Sequence, residues 1–237
     1  MSDVTAAYVD LLRKGPDVPD HVRQGLLASG ADAVEPLLAL LGDPSVDVPG
    51  HPSQGQARRH AAGLLGVLGE ASAISGLLDA LLANRRHSDL VGVIARALAA
   101  IGGVTGPALE RLEQADSEAD QLMLLMVLAS AGERDDRILA ALRERLPTEP
   151  ALVLPLVGRY GDPALAKDVG DVLLAAGLDG RVTALAVQTL QKLGVSHPLL
   201  EELGTKANAY AKTREAKDLV DRAEEVLKET LAEARFS

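Results

Sequence analysis

The sequence contains no cysteine, no tryptophan, one phenylalanine and three tyrosines. The absence of cysteine excludes disulfides, thiolate metal ligands and a cysteine nucleophile. Because aromatic residues are so few, Leu, Ala and Val must fill the core of a chain that is 47% hydrophobic. Small aliphatic side chains suit closely packed helices, whereas sheets favour aromatic and β-branched residues. The composition therefore predicts an all-α protein.

Long apolar runs and an excess of basic residues are also lacking. The sequence has no stretch of about 18 apolar residues, which a membrane-spanning helix would need. Its first residues show no basic segment followed by an apolar run, the pattern of a signal peptide. The formal net charge is −10, and such a charge repels nucleic acid. We therefore expect a cytoplasmic protein that binds neither a membrane nor nucleic acid.

Six glycines follow apolar helical segments at similar intervals. A glycine readily adopts the left-handed conformation that ends a helix. The intervals are 39, 33, 30, 29 and 33 residues, and each has room for two short helices and two turns. The pattern therefore predicts a stack of helix pairs. The glycines are Gly30, Gly69, Gly102, Gly132, Gly161 and Gly194.

The residues at set distances before each of the last five glycines are similar, and they predict which face of the second helix in each pair is buried. Residues four and eight positions before a glycine lie on one side of a helix with 3.6 residues per turn. All ten residues at these positions are apolar, so we expect them in the core. They are Leu65, Leu98, Leu128, Val157 and Leu190 at the first position, and Ala61, Ile94, Leu124, Val153 and Ala186 at the second.

The first full repeat carries a more specific pattern. Val48, continued from Arg58 to Gly69, resembles the second helix of the PBS-lyase type of HEAT repeat, which reads roughly Val-Arg-x-x-Ala-Ala-x-x-Leu-Gly-x-Leu-Gly after an Asp-Pro turn. Asp43-Pro44 matches that turn if residues 49–57 are an insertion. The resemblance covers about residues 25 to 200. It implies a right-handed α-α superhelix, a HEAT-like α-solenoid of about five helical-pair repeats with helical caps at both ends. The Ala, Leu, Gly and Arg bias points to a bacterial source.

The predicted organisation has three parts. Residues 1–30 form N-terminal capping helices, residues 31–195 form the repeat array with its inserted loop 49–57, and residues 196–237 form C-terminal capping helices. A helix predicted over about 213–235 carries an apolar stripe. The stripe covers the open end of the stack or, as the alternative, joins two copies into a homodimer. It consists of Ala216, Leu219, Val220, Ala223, Val226, Leu227 and Leu231.

The sequence carries no catalytic motif. Its five histidines lack the His-Glu-x-x-His spacing and have no cysteine partners for zinc, and no phosphate-binding loop or nucleophile elbow occurs. The glycine-rich segment from Ile101 to Gly106 is interpreted as a turn between repeats. Carboxylates that converge in three dimensions for acid–base catalysis would leave no sequence signal. We expect no enzymatic activity, no metal and no cofactor.

The resemblance implies that the second helices of the pairs line a concave face. Positions six, nine and ten before each glycine point away from the core and predict a groove with an apolar centre. Apolar side chains with methionine suit the binding of a partner helix or extended segment. The alternative is that these helices are buried on more than one side, since a register shift of one residue would move Met123 and Met126 into the core. The predicted groove residues are Val93, Arg96, Leu122, Met123, Met126, Leu152 and Pro155.

A second candidate site lies at one edge of the stack. The inserted loop and the turn from Asn84 to His87 join the two helices of successive repeats, so both should emerge at the same edge. Their arginines concentrate positive charge on an acidic protein, which suits a carboxylate-rich segment or a phosphate. The alternative is that the arginines are merely solvated and that Arg58 braces adjacent repeats. The predicted edge residues are His51, Arg59, His60, Arg85, Arg86 and His87.

The favoured function is that of a non-catalytic adaptor or scaffold that binds another protein through the groove or the edge. The alternative is a lyase-like or chaperone-like helper that binds a small ligand or chromophore together with a client protein. A polar pocket in which His51, His60 and His87 converge would favour the helper. An open apolar groove would favour the adaptor.

Overall fold

The protein is all-α. The computed structural model describes residues 3–176 and 180–210, and no β-strand occurs among them. The chain divides into two compact units, residues 1–133 and residues 134–237. No helix of the described ranges combines the length and the apolar character needed to cross a membrane. The apolar stripe predicted over 213–235 lies outside the described residues.

Unit 1 is built from eight α-helices within its described residues, joined by short turns. The second and longer helix of most pairs ends at one of the repeating glycines. The helices are α1 (Asp3–Lys14), α2 (Asp20–Ala28), α3 (Val34–Leu41), α4 (Ala57–Leu68), α5 (Ile74–Ala83), α6 (Ser88–Ile101), α7 (Thr105–Gln114) and α8 (Glu118–Ala131).

Unit 2 continues the same alternation of helix and turn. The helices of its described residues are α9 (Asp136–Arg145), α10 (Pro150–Tyr160), α11 (Ala166–Ala176), α12 (Gly180–Lys192) and α13 (Pro198–Tyr210). Three-residue to four-residue 3-10 turns precede α3, α5 and α11, and another lies between α3 and α4.

The repeating glycines end the helices as the sequence predicts. All six have a positive φ, between 55° and 86°, which other residues adopt only with strain. Gly69, Gly132 and Gly161 are left-handed caps directly after α4, α8 and α10. Because the glycine stops are local, they fix where each helix pair ends without help from distant parts of the chain.

The predicted core positions are confirmed. Each of the ten residues four and eight positions before a glycine is fully buried, at 0% exposure. The first helices of two pairs bury apolar faces as well, through Leu37 and Leu41 in α3 and through Leu77 and Leu81 in α5. Aliphatic side chains therefore fill most of the core in the described part of the chain, and Tyr160 is also buried there.

The inserted loop begins and ends one residue earlier than predicted. Helix α4 starts at Ala57, which is fully buried and directly precedes Arg58. The repeat motif has a valine directly before the arginine, and the prediction assigned Val48 to that position. In the structure Val48 instead has extended backbone after a 3-10 turn and is 52% exposed. Ala57 takes that place because alanine is a good helix former and fits the close contacts at the start of α4. The loop therefore spans residues 48–56.

Within unit 1 each helix packs against the next helix but one. The even-numbered helices contact one another in the order α2, α4, α6 and α8, and the odd-numbered helices do so in the order α1, α3, α5 and α7. In unit 2, α10 contacts α12, and α12 also contacts α11 and α13. Every helix of unit 1 thus buries its apolar face against neighbours from the adjoining pair.

Arginine–aspartate ion pairs accompany this packing. Four of them in unit 1 join residues 30 to 35 positions apart, which is about the length of one repeat. Each pair therefore links one helix pair to the next. They are Arg13–Asp43, Arg59–Asp89, Arg85–Asp120 and Arg111–Asp79.

Candidate functional site

Arg58 is the buried anchor of the predicted edge. Its side chain is only 4% exposed. Nε donates to the carbonyl oxygen of Leu41 at 2.7 Å, Nη1 donates to Asp47 Oδ2 at 2.5 Å, and Nη2 donates to Asn84 Oδ1 at 2.5 Å. Asn84 in turn donates from Nδ2 to the carbonyl oxygen of Ala80. This network holds the guanidinium in one position and ties α3, α4 and α5 together. Arg58 therefore has the bracing role that was the alternative to ligand binding.

The inserted loop is held by its own hydrogen bonds. The fully buried Ser53 donates from Oγ to the carbonyl oxygen of Val46 at 3.2 Å, and this hydroxyl lies 2.9 Å from His51 Nδ1. Gln54 has a φ of 51°, a left-handed conformation that costs a non-glycine residue about 1 kcal/mol. Gly55, with a φ of 74°, follows it. A strained residue in a well-bonded loop indicates that the surrounding structure imposes its conformation.

A polar cleft of about 330 Å³ lies between the inserted loop and the turn that leads into α6. The loop contributes one wall, the start of α4 the floor, and the start of α6 the other wall. The sequence therefore predicted correctly that the loop and the next turn meet at one edge. The lining residues are Asp47, Gln54, Gly55, Arg58, Arg59, Arg86, His87, Ser88, Asp89 and Leu90.

The cleft has an excess of positive charge. Arg58 pairs with Asp47, and Arg59 pairs with Asp89 at 3.0 Å across the opening. Arg86 is exposed and has no ion-pair partner within the described part of the chain. Three guanidinium groups thus face two carboxylates, which leaves one uncompensated positive charge on a protein whose net charge is −10.

Three of the six predicted edge residues line the cleft, namely Arg59, Arg86 and His87. The other three lie elsewhere. His51 stays inside the loop beside Ser53, and Arg85 pairs with Asp120 at 2.9 Å.

His60 points away from the edge. Its Nε2 donates to the carbonyl oxygen of Pro16 at 2.8 Å, 44 residues away in the sequence. His60 therefore does not line the cleft. In a helix with 3.6 residues per turn, consecutive residues face different sides, so His60 faces the turn between α1 and α2 although it follows Arg59 directly.

Sequence reasoning missed Asp47, Gln54 and Asp89 as cleft residues. Asp47 precedes the predicted loop and Asp89 follows the predicted turn, so only the folded arrangement brings their carboxylates to the arginines. The left-handed conformation of Gln54 has no local signal, since glutamine shows no preference for it.

We compared the chain with models of protein families, with curated proteins and with solved structures. It matches none of them. The resemblance to PBS-lyase type HEAT repeats therefore stays a prediction made from the residues themselves.

The predicted groove residues of unit 1 lie on α6 and α8 and none of them is buried. Val93, Leu122, Met123 and Met126 are half-buried, whereas Arg96 is exposed. Leu124 and Leu128 of α8 are fully buried, so the core register of this helix is as predicted and the one-residue shift that would bury the two methionines does not occur.

The predicted groove residues of unit 2 lie on α10. Leu152 is 54% exposed and Pro155 is exposed, while Val153, Leu154 and Val157 of the same helix are buried. Leu152 is one of the few large apolar side chains exposed in the described part of the chain. Helix α10 continues through Pro155, although proline cannot donate a backbone hydrogen bond.

Unit 2 also contains an apolar crevice of about 500 Å³ that the sequence did not predict. It lies where α9 ends and α10 begins, beside the end of α11 and the start of α12. Leu146, Pro150, Val172 and Val182 line it, with Arg143 and Asp168 paired at its rim. Across both units, the described histidines and carboxylates form no group of three or more that could hold a metal ion.

Proposed function

We propose that the protein is a non-catalytic adaptor, built as a HEAT-like α-solenoid, that binds another protein through the edge cleft of unit 1. The observation that carries the proposal is the cleft itself. Arg86 is exposed and unpaired within the described residues, at the mouth of a cleft whose floor is fixed by the buried Arg58. A binding surface that is already ordered loses little conformational entropy when a partner docks.

The helix packing supports the solenoid part of the proposal. A solenoid requires each repeat to contact only its neighbours, and the helices of unit 1 pack mainly against the adjoining pairs. The ion pairs at separations of 30 to 35 residues have the same periodicity. We extend the proposal to a right-handed superhelix in a bacterial cytoplasm, in agreement with the resemblance of the first repeat to the PBS-lyase type.

The groove is the second surface in this proposal. Within unit 1, Met123 and Met126 are half-buried on α8, and Val93 is half-buried on α6. Partly exposed methionines adapt to partners of different shape because their side chains are flexible and polarisable. We rank this surface of unit 1 below the edge because its apolar side chains are only partly exposed.

The helper function would need a different arrangement of histidines. Of His51, His60 and His87, only His87 lines the cleft, while His60 is bonded to the turn between α1 and α2. No converging set of histidines for a small ligand therefore supports the alternative, and we favour the adaptor.

The proposal is tested by affinity capture from a bacterial lysate with three variants of the full chain. Arg86→Glu reverses the unpaired charge of the cleft, and Met123→Glu with Met126→Glu places charge in the groove. Arg23→Glu is the matched control, because Arg23, on α2, is also an exposed arginine with no ion pair within the described residues. All variants are first checked for unchanged helicity and melting temperature.

We expect the wild type and Arg23→Glu to retain the same protein, and Arg86→Glu to lose it. Loss in the methionine variant alone would move the site to the groove and keep the adaptor function. If all four proteins capture the same set, or none captures a specific protein, the adaptor proposal is wrong.

A further inference from the structure

We infer that the edge cleft binds a carboxylate of an acidic segment in the partner protein, and that Arg86 is the residue that pairs with it. This inference rests on the proposed function and specifies the chemistry of its ligand. It follows from the two carboxylates that the cleft already holds, from its charge and from the start of α4.

The internal ion pairs of the cleft show which group fits its arginines. Asp47 binds Arg58 and Asp89 binds Arg59, so two of the three guanidinium groups already hold a carboxylate of this chain. Arg86 is the third, and it lines the same cleft without such a partner in the described part of the chain. A carboxylate supplied from outside would complete the set, because a guanidinium binds a carboxylate through parallel hydrogen bonds.

The charge balance favours one carboxylate over a phosphate group. Three arginines and two aspartates leave a single excess positive charge, which one carboxylate neutralises. A phosphate monoester carries a charge of about −1.5 to −2 and would leave the cleft negative. Nucleic acid would bring a row of phosphates toward a chain with a net charge of −10, and the cleft offers only one excess positive charge to them.

The start of α4 adds to the attraction for an anion. Helices α4 and α6 both begin at the cleft, and neither has a side chain that caps its first turn. The positive end of the α4 dipole is therefore left to the cleft, where it favours negative charge, whereas Asp89 already places a carboxylate in the first turn of α6. Alone this effect is small, but it acts in the same direction as the unpaired guanidinium of Arg86.

The edge cleft is already ordered by hydrogen bonds of the chain itself, without a ligand. The three hydrogen bonds of Arg58 fix the floor of the cleft, and the hydrogen bonds of Ser53 fix the loop that carries Gln54. The Arg59–Asp89 pair spans the opening and is exposed, with 39% and 74% of the two side chains accessible. Exposed pairs of this kind contribute little stability, so Arg59 can turn toward an arriving carboxylate at low cost.

The experiment is an NMR titration of the full chain labelled with ¹⁵N-arginine. The probe is a short peptide of alternating Glu and Ser, and the reference peptide has Gln in place of every Glu. A third peptide carries phosphoserine at one position between Gln residues. Ionic strength is kept near 0.15 M, where a Debye length of about 8 Å screens the distant acidic groups of the protein.

We expect the Glu peptide to shift the Nε–H signals of Arg86 and Arg59 and to leave that of Arg23 unchanged. In Arg86→Gln the dissociation constant, followed at the Nε–H signal of Arg59, should rise roughly threefold, because an exposed charge pair contributes a modest part of the binding free energy. Arg23→Gln is the matched control and should leave the dissociation constant unchanged. Arg86→Lys should restore part of the affinity, because lysine keeps the charge but lacks the planar fork.

Four results would overturn the inference. Equal binding of the Gln peptide would show that charge is not recognised, and unchanged affinity in Arg86→Gln would place the site elsewhere. Binding of the phosphoserine peptide tenfold tighter than that of the Glu peptide would make the cleft a phosphate site. If the Glu peptide does not bind but Arg86→Glu still loses its captured protein from a lysate, the adaptor function stands and only the acidic ligand is wrong.

Discussion

Arg58 donates a hydrogen bond from Nη2 to Oδ1 of Asn84, and this bond joins the start of α4 to the residue that ends α5. Both side chains are buried, and both also bond to backbone carbonyl groups. Arg58 therefore supplies a donor to the carbonyl oxygen of Leu41, one of the last carbonyl groups of α3, which have no partner within the helix.

Arg58→Met should destabilise the protein by about 2–3 kcal/mol. The substitution leaves the carbonyl oxygen of Leu41 and Oδ1 of Asn84 buried without the donors that they now have, and unsatisfied buried acceptors cost this much. Arg59→Met on the same helix is the control, because its pair with Asp89 is exposed and should contribute less than about 1 kcal/mol. Urea denaturation followed by circular dichroism measures both, and equal losses would contradict the buried role of Arg58.

Two glycines of α4 should respond in opposite directions to alanine. A Cβ atom at Gly66 would lie 2.8 Å from Ala97 Cα, whereas a Cβ atom at Gly63 would have no atom within 4 Å. Gly66→Ala should therefore force α4 and α6 apart and destabilise the protein by about 2 kcal/mol. Gly63→Ala should stabilise it by about 0.5–1 kcal/mol, since alanine is the better helix former.

Thermal unfolding of the two alanine variants provides the measurement. A lower melting temperature for Gly66→Ala beside a higher one for Gly63→Ala is the expected result. An increase in both would mean that α4 and α6 do not approach each other as closely as the structure has them.

Asp43 should give the protein a pH-dependent contribution to stability. Hydrogen bonds from the hydroxyl and backbone N–H of Ser45, and then the Arg13 guanidinium, hold the pKa of Asp43 below its ordinary value of 3.8. Because the folded-state pKa is lowered, the contribution is present above 3.8 and is lost as the pH falls through the lower folded value. Asp43→Ala should cost about 1 kcal/mol at neutral pH, and the difference from wild type should shrink as the pH drops below 3.8.

Denaturation curves at neutral and acidic pH check this dependence. Asp43→Asn is the control, because asparagine still accepts a hydrogen bond from the backbone of Ser45 but cannot pair with Arg13. At neutral pH, Asp43→Asn should lower the free energy of unfolding by less than Asp43→Ala does. A difference between Asp43→Ala and wild type that stays constant down to the lowest pH would contradict the assigned pKa direction.

The helices and their buried faces could be predicted from the sequence because both depend on local spacing. The position of Leu98 four residues before Gly102 determines that it faces the core, whatever lies on the other side. The same reasoning explains why the half-buried state of Met123 and Met126 agrees with their predicted register. A pattern of period 3.6 specifies a face, and the glycine specifies where the helix ends.

The edge could be predicted only in outline. Its loop and turn were identified from the repeat, but the directions of individual side chains were not. Arg85 pairs with Asp120 and leaves Arg86 in the cleft, although the two arginines are adjacent in the sequence. Such choices depend on partners 30 residues or more away, and one sequence carries no signal for them.

The packing of each helix of unit 1 against the next but one also determines how the unit can fold and grow. Its main contacts join helices no more than three places apart along the chain. Short separations between contacting residues are typical of fast-folding proteins, because little loop entropy is lost before a contact forms. In the proposed solenoid, structure would start at any pair and spread to both sides. A duplicated helix pair would meet matching apolar surfaces above and below, so the unit can lengthen by whole pairs without a redesigned core.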